Sequence, residues 1–392
     1  YRPLAERPIL LNSWEAMYFD FDEDRLLGLA REAKDLGVDM LVIDDGWFGH
    51  REDDHSSLGD WFPNTRKLPR GFDRLCGQIR DMGLQVGLWV EPEMVSEDSM
   101  LFRAHPDWAL TVPGRKPTVG RNQLVLDLSR PEIVDWLFET FAGLLRELPI
   151  SYIKWDMNRH LTDLYSAALP PDRQGELAHR YVLGLYALLD RLTRVFPDVL
   201  FEGCAGGGGR FDAGMLFYCP QIWCSDDTDP IERLEIQRGT SYGYPISAMG
   251  AHVSASPNHQ TARTTPLETR AVVAMSGAFG YELDLARLTE EEKAEIAAGF
   301  PTEKENVCDW ADAMFPETLI ITQRARSELR KYHGNLDVAL LCDGLLYLDA
   351  YARNRNGQLS DEDLALYRKG RAGSVSSYSI KTMIGWHYKL YK

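Results

Sequence analysis

The sequence predicts an α/β protein built as a (β/α)8 TIM barrel, followed by an additional C-terminal segment of mostly helical or irregular structure. Two observations favour the barrel. Short buried runs rich in β-branched residues alternate with amphipathic stretches of helical period, which is typical of a parallel sheet. Nearly every such run ends in a polar residue, and acids at most strand ends suit a closed barrel better than an open sheet with a single binding point.

An internal repeat defines the unit of this fold. Residues 34–45 and 80–91 share one pattern, in which a helix ends at a glycine (Gly37 or Gly83) and an apolar run then leads to carboxylates. This pattern is the α-to-β half of a βα unit. The preceding helices have the expected period, and longer amphipathic stretches follow at 133–148 and 177–196.

Nine runs qualify as strands, one more than a barrel needs. They are residues 9–12, 40–44, 85–91, 124–128, 152–156, 200–204, 222–226, 247–253 and 279–283. The run 124–128 is the weakest candidate because it follows a stretch rich in Pro and Gly, and it is interpreted as a candidate excursion in a long loop. The predicted division is a catalytic barrel over residues 1–295 and a C-terminal segment of unassigned type over residues 296–392.

Composition narrows the classes of partner. The 392 residues carry 43 Lys and Arg against 59 Asp and Glu, a net charge of -16, which disfavours nucleic acids and anionic membranes. No apolar run approaches the ~18 residues of a membrane span. The six cysteines are scattered without a C-x-x-C pair, so we expect a reducing, cytoplasmic location and no structural metal site. The first residues resemble neither a signal peptide nor an initiator, which suggests a piece of a longer chain.

Carboxylates gather at the predicted strand ends. They are Asp44, Asp45, Glu91, Glu93, Asp156, Glu202, Asp226 and Asp227. A ring of acids around one opening is costly through repulsion and desolvation unless the site uses the charge, so the pattern predicts an active site.

Four tryptophans lie within three residues of these acids. They are Trp47, Trp89, Trp155 and Trp223. Flat aromatic faces beside carboxylates are typical of sugar sites, where apolar ring faces stack and hydroxyls hydrogen-bond to the acids. Packing in the barrel is the alternative for each tryptophan singly, but the four together favour a sugar as ligand.

Alternation along one strand places Lys154 and Asp156 on the same face. An ammonium near Asp156 would hold that carboxylate ionised, which suits a nucleophile, and a buried ion pair is the structural alternative. For its partner acid, Asp229 is best explained as a helix N-cap before Pro230, which leaves Asp226 and Asp227 open.

A glycine run, residues 206–209, follows the strand that ends at Cys204. No Lys-Ser/Thr pair follows the run, so a phosphate loop is disfavoured. We expect a loop whose missing side chains let a ligand approach the backbone.

Six motifs in order resemble the catalytic barrel of glycoside hydrolase family 36, the microbial retaining α-galactosidases that act on melibiose and raffinose-type sugars. They are IDDGWFG at 43–49, GLWVEPEM at 87–94, YIKWDMNR at 152–159, FEGC at 201–204, SDDTD at 225–229 and MGAHVS at 249–254. The resemblance covers residues 9–285 and makes 124–128 the excursion. It implies a large β-sandwich before the barrel that helps to build an oligomer, and this chain shows no such domain.

The resemblance also implies residue roles. Asp156 corresponds to the nucleophile and Asp226 to the acid/base, with their carboxyl groups ~5 to 5.5 Å apart as retention requires. Asp44 and Asp45 correspond to the pair that grips the 4- and 6-hydroxyls of galactose. Further expected sugar contacts are Trp89, Arg121, Lys154, Asn158, Cys204, Gly206 and Gly207. No cofactor and no metal are implied, and a homo-oligomer is possible.

Other functions remain open at this stage. Within the family, the chain could be an α-N-acetylgalactosaminidase or a transglycosylase. A magnesium-dependent lyase would use the acid ring as metal ligands. A catalytically impaired galactose-binding barrel, as a fragment or a chimera, is a third reading. In the C-terminal segment, residues 354–363 have the cadence of a calcium loop, but Ala352 stands where an aspartate should open it, and a solvated turn is preferred.

Overall fold

A computed structural model of the chain describes residues 7–297. Their strands, in chain order, are β1 (Leu10–Asn12), β2 (Met40–Ile43), β3 (Gln85–Val90), β4 (Met94–Val95), β5 (Leu124–Val125), β6 (Ile150–Trp155), β7 (Leu200–Gly203), β8 (Gln221–Trp223), β9 (Met249–Ser254) and β10 (Ala278–Glu282). Within this range eight parallel strands close into a barrel in the order β1-β10-β9-β8-β7-β6-β3-β2. The predicted (β/α)8 barrel is confirmed.

Helices alternate with the barrel strands. They are α1 (Trp14–Met17), α2 (Glu23–Asp35), α3 (Phe72–Asp81), α4 (Met100–Ala104), α5 (Pro131–Glu147), α6 (Leu177–Val195), α7 (Ala213–Tyr218), α8 (Pro230–Ser241), α9 (Leu267–Ala274) and α10 (Glu290–Ala297). Short 3-10 turns occur at Pro106–Trp108, Pro171–Glu176, Ile246–Ala248 and Leu285–Arg287. No helix within the described part of the chain is both long and apolar enough to cross a membrane.

The described residues fall into two units. Residues 7–237 and 246–297 belong to the compact unit that contains the barrel. Residues 238–245 belong to a second unit, and they form the last turn of α8 and the turn after it, with Tyr242 N donating to the Gly239 carbonyl. The predicted division at residue 295 stays a prediction, and the calcium-like run 354–363 lies outside the described residues.

The ninth strand candidate is indeed an excursion. β5 pairs antiparallel with β4, with Met94 opposite Val125, in a separate two-stranded sheet. β3 pairs directly with β6 across this insertion. The long loop between them carries Arg121 and Gln123 toward the end of the barrel at which the strands finish.

The inward faces of the strands explain where the polar residues gather. A small apolar cluster of Leu10, Met40, Val42, Tyr152 and Leu200 packs apart from the main core. Because side chains alternate along a strand, residues two positions further on share the same face. Asn12, Asp44, Lys154 and Glu202 stand at those positions and are buried. The barrel is therefore closed by apolar side chains below and lined by polar ones toward its C-terminal mouth.

Local signals end the helices where the sequence predicts. Gly37 and Gly83, after α2 and α3, have φ of +79° and +88°, a conformation that glycine adopts without strain. The Asp22 carboxylate accepts a hydrogen bond from Arg25 N and caps α2. The apolar face of α2 is buried, and full burial of one leucine side chain such as Leu26 contributes about 1.5–3 kcal/mol.

Candidate active site

Asp156 follows β6 and is held by four hydrogen bonds. Its Oδ2 accepts from Trp89 Nε1 at 3.1 Å and from Asn158 Nδ2 at 2.7 Å. Its Oδ1 accepts from Met157 N at 2.8 Å and from Gly206 N at 3.4 Å. All four donors are N–H groups, so both oxygens of Asp156 act as hydrogen-bond acceptors. The carboxylate is fixed in orientation and buried.

Asp44 directly follows β2, which β3 separates from β6, and it binds Lys154 across the inside of the barrel. Lys154 Nζ lies 3.0 Å from Asp44 Oδ2, and Asn12 Nδ2 donates to the same oxygen at 2.7 Å. Burial raises the pKa of Asp44, although the ammonium and Asn12 oppose the rise. Burial also opposes the charge on Lys154, but Asp44 and other carboxylates raise its pKa above the ordinary value. The ammonium of Lys154 hydrogen-bonds to Asp44 and not to Asp156, although the charge of Asp156 also raises the pKa of Lys154.

Asp45 is occupied by an arginine that the sequence analysis did not identify. Arg51 Nε and Nη2 donate to the two oxygens of Asp45 at 2.6 and 2.7 Å, which is a bidentate pair. Arg51 Nη1 also donates to the carbonyl of Ser56. The pair lies in the loop after β2 and fixes that loop against the mouth of the barrel.

The structure distinguishes the three aspartates after β8. Asp229 Oδ1 accepts from Ile231 N and Glu232 N, so its predicted role as the cap of α8 is confirmed. Asp227 Oδ1 accepts from Asp229 N, which ties it to the turn. Asp226 is the most exposed of the three, whereas Asp227 is half-buried and Asp229 is buried. Surrounding protein atoms and the charge of Asp156 raise its pKa to about 6.

The glycine loop after β7 packs against the backbone that carries Asp226. Gly207 has φ of +81°, and a Cβ added there would lie 2.7 Å from Asp226 N. A Cβ on Gly208 would lie 2.5 Å from the carbonyl oxygen of Cys224. Cys204, which begins the loop, is buried, and burial raises the pKa of its thiol. The close approach predicted for this loop is therefore an approach to Asp226's own backbone, with Gly206 N directed at Asp156.

The excursion loop reaches the same mouth. Arg121 is exposed with φ of +50°, and its charge lowers the pKa of Asp226. Gln123 Nε2 donates to Glu91 Oε1 at 2.7 Å, and Asn158 N donates to the same oxygen. Burial and the charge of Asp156 raise the pKa of Glu91 to about 8, so this carboxyl is protonated at neutral pH. Glu91 therefore joins the excursion loop to the residue that binds Asp156.

The prediction that four tryptophans present their faces to a sugar is wrong. Trp47, Trp89, Trp155 and Trp223 are each at most 2% exposed. Trp47 stacks on Phe72, and Trp155 Nε1 donates to the buried Glu93. Trp47, Trp89 and Trp155 belong to the main apolar core, whereas Trp223 packs against His252 and the cations Lys154 and Arg233. Of the four, only Trp89 donates to a predicted catalytic carboxylate. Glu93 is likewise structural, since it also pairs with Tyr181 and Arg210.

Three further polar residues at the mouth were missed by the sequence analysis. Asn12 and Arg51 bind Asp44 and Asp45, and Glu282 at the end of β10 pairs with His252 at 3.0 Å. The sequence does contain a signal for Asn12, because Asn12 ends a predicted strand in the same way as the strand-end carboxylates do. Glu282 lay inside the predicted strand 279–283, so it was not counted as a strand-end acid.

Metal chemistry finds no support in the arrangement of these acids. Within residues 7–297 no group of three or more His, Cys, Asp or Glu side chains is placed to hold a metal ion. Instead, the acids bind different partners: Lys154, Arg51, Arg210 and His252. The geometry favours acid/base and nucleophilic chemistry by separate carboxyl groups.

Comparison with known proteins agrees with the motifs. Residues 3–309 match the family model described as Melibiase. The chain is 62% identical over 288 residues to the alpha-galactosidase AgaA of Geobacillus stearothermophilus, and 58% identical over 288 residues to alpha-galactosidase 1 of Pediococcus pentosaceus. Each alignment covers 74% of this chain, and they cover 40% and 39% of the relatives. The chain thus spans about two fifths of the length of these relatives.

Solved structures give the same picture. The crystal structure of AgaA superposes with a TM-score of 0.74 at 59% identity, covering 78% of this chain and 42% of that one. A variant of AgaA in complex with raffinose superposes with a TM-score of 0.74 at 58% identity, over 78% and 42% of the two chains. The family match, the identity to these relatives and the shared barrel together show that the chain belongs to the Melibiase family, as its resemblance to glycoside hydrolase family 36 implied.

Proposed function

We propose that the chain carries the catalytic barrel of a retaining α-galactosidase, which releases terminal α-galactose from small α-galactosides. The observation that carries the proposal is the contrast between two carboxyl groups at one mouth. Asp156 is buried and fixed by four hydrogen-bond donors, whereas Asp226 is exposed and its pKa is raised to about 6. A carboxyl group with a raised pKa near a second carboxylate is typical of glycosidases. Relatives described as alpha-galactosidases support the substrate class.

In the proposed reaction, protonated Asp226 donates its proton to the glycosidic oxygen while an oxygen of Asp156 attacks the anomeric carbon. The bond to the leaving group breaks, and a covalent galactosyl-enzyme forms. Asp226, now a carboxylate, takes a proton from water, whose oxygen displaces Asp156 and releases α-galactose. The required carboxyl separation of ~5 to 5.5 Å stays a prediction.

The remaining predicted residues would bind the sugar. Asp44 and Lys154, paired at 3.0 Å, offer an acceptor and a donor to adjacent hydroxyls. Asp45 keeps acceptor capacity beside its arginine, since each carboxylate oxygen has two lone pairs. Asn158 and Trp89 fix the nucleophile, Arg121 is the exposed cation at the rim, and Cys204 with Gly206 and Gly207 forms a wall with little side-chain bulk.

One assay tests the proposal. Hydrolysis of p-nitrophenyl α-galactoside should be abolished by Asp156→Ala and unaffected by chelator. Parallel assays with p-nitrophenyl α-N-acetylgalactosaminide identify the alternative specificity. Activity that survives Asp156→Ala, or that chelator removes, would contradict the mechanism. Raffinose, which a relative's solved structure contains, is the matching natural-type substrate.

We also propose a cytoplasmic location and self-association. Four cysteines, Cys76, Cys204, Cys219 and Cys224, are free and buried, which supports a reducing compartment.

Large apolar side chains on two neighbouring helices, Leu183 and Phe217, are 52% and 78% exposed, which supports contact with another copy. Light scattering at several protein concentrations gives the molar mass and so tests self-association. A monomer at all concentrations would contradict it.

A further inference from the structure

Glu282, at the end of the last barrel strand, is a buried carboxylate that the mechanism above does not use. Its Oε2 lies 3.0 Å from His252 Nδ1 on β9, and both side chains are 3% exposed. Burial opposes ionisation of Glu282, but the hydrogen bond from His252 and the charge of Lys154 outweigh it and lower its pKa. Glu282 is therefore ionised at neutral pH. Since a carboxylate only accepts hydrogen bonds, His252 Nδ1 carries the proton of the pair.

The imidazole of His252 connects this carboxylate to the strand that leads to Asp226. Its ring centroid lies 4.4 Å from that of Trp223, the last residue of β8. Arg233 covers Trp223 at 4.2 Å from the ring centroid, and a Cβ on Gly250 would lie 3.1 Å from Trp223 Cε3. Trp223 is thus enclosed by His252, Arg233 and the bare backbone of Gly250. Three residues later the chain presents Asp226 to the mouth.

The charge of Glu282 also acts on Asp226 directly. Burial and Asp156 raise the pKa of Asp226 most, and Glu282 adds to the rise, while Lys154 and Arg121 lower it. His252, Lys154 and Arg233 are the charged groups that lower the pKa of Glu282. The charge of Glu282 in turn raises the pKa of Asp44, Glu202, Glu15 and His259. Glu282 thus offsets part of the lowering of the pKa of Asp226 by Lys154 and Arg121, and it helps Asp226 to keep its proton.

We propose that the Glu282–His252 pair is a positioning element of the reaction, which acts on Asp226 through the packing of Trp223 and through the fixed charge of the carboxylate. The inference rests on the proposed function, because it assigns Asp226 the role of proton donor. Its distinct content is that Glu282, a residue of the last barrel strand with no part in the proposed mechanism, sets how readily the donor keeps its proton.

The test is the alkaline limb of the pH profile of kcat/KM for p-nitrophenyl α-galactoside, measured on the full chain. The alkaline limb of kcat/KM reports the pKa of the essential acid in the free enzyme. Glu282→Gln removes the charge and keeps the shape, so the limb should move to lower pH by a few tenths of a unit. Glu282→Asp, which restores the charge, should return it toward the original position.

Glu202→Gln is the matched control. Glu202 is a buried carboxyl of the same barrel whose pKa is raised to about 8, which favours its neutral form, and the groups that shift the pKa of Asp226 most do not include it. Its variant should leave the limb in place. An unmoved limb in Glu282→Gln, or an equal shift in Glu202→Gln, would overturn the inference. Absence of activity in the unmodified chain would instead overturn the proposed function.

Discussion

The ammonium of Lys154 donates to Asp44, which follows β2 two strands away in the barrel, and not to Asp156 two residues further along its own strand. Both members of this pair are buried. Lys154 therefore belongs to the proposed sugar-binding wall, and it acts on Asp156 and Asp226 through its charge alone. The charge of Lys154 thus interacts with three carboxyl groups, and its ammonium hydrogen-bonds to one of them, Asp44.

Removal of this ammonium should be costly to stability. Lys154→Met leaves Asp44 buried without its cation, and breaking a buried pair costs about 3–5 kcal/mol of the free energy of unfolding. The orphaned Asp44 would have a pKa further above its unfolded value, so the deficit should grow as pH rises and shrink toward pH 5. Urea unfolding at pH 5 and pH 7 measures it. Arg173→Met, which breaks an exposed pair with Glu176, should change little. Equal deficits at both pH values would contradict this expectation.

The leaving group of the substrate should determine how far Asp226→Ala lowers kcat/KM. General acid catalysis contributes ~10²–10⁴-fold, and it matters most for a poor leaving group such as the sugar of raffinose. The loss in kcat/KM should therefore be larger for raffinose than for p-nitrophenyl α-galactoside. In the unmodified chain, kcat/KM should fall as pH rises through about 6, because Asp226 then loses its proton. Equal losses on both substrates would count against Asp226 as the donor.

A single methyl group in the glycine loop should impair catalysis. Gly207→Ala places a Cβ 2.7 Å from Asp226 N in a backbone conformation, φ of +81°, that alanine rarely adopts. The loop or Asp226 must move, so we expect a loss of at least about tenfold in kcat, measured with p-nitrophenyl α-galactoside. Gly143→Ala is the control, because Gly143 lies inside α5 with no atom near its added Cβ. That variant should keep its activity and gain roughly 0.5–1 kcal/mol. Full activity in Gly207→Ala would refute the proposed close packing.

Two buried glutamates should respond oppositely to neutralisation. The pKa of Glu202 is raised to about 8 by burial, so its contribution to stability is present at acid pH and is lost as pH rises through 8. Glu202→Gln should therefore raise Tm at pH 8 more than at pH 5. The pKa of Glu282 is lowered, so its contribution is present above its unfolded pKa, and Glu282→Gln should lower Tm at pH 8. Thermal melts at both pH values give the comparison, and shifts of the same sign at pH 8 would contradict it.

The sequence predicted the barrel well because the signals for strands are local. Seven of the eight barrel strands begin and end within two residues of the predicted bounds, as β7 (Leu200–Gly203) does against 200–204. The Pro- and Gly-rich stretch before residue 124 correctly marked the excursion, since such residues disfavour a central strand.

Pairings across the barrel were harder to predict. Alternation showed that Lys154 shares a face with Asp156, but which carboxylate it binds depends on the distance to β2, and spacing along one strand carries no such information. Tryptophan positions misled for a related reason. Proximity in sequence to an acid does not state whether a ring faces the mouth or the surrounding helices, and Trp47 and Trp155 face the helices, where they pack against Phe72 and Phe141.

The closure of the barrel between β1 and β10 has a consequence for how the chain folds. Leu10 on β1 pairs with Gly280 on β10, about 270 residues later in the chain. One edge of β1 therefore stays unpaired until β10 has been synthesised. Contacts so distant in sequence are slow to form, and an unpaired strand edge invites incorrect pairing in the meantime. Asn12, which steadies Asp44, sits on that strand. The proposed sugar site is therefore completed only when nearly the whole barrel has been synthesised.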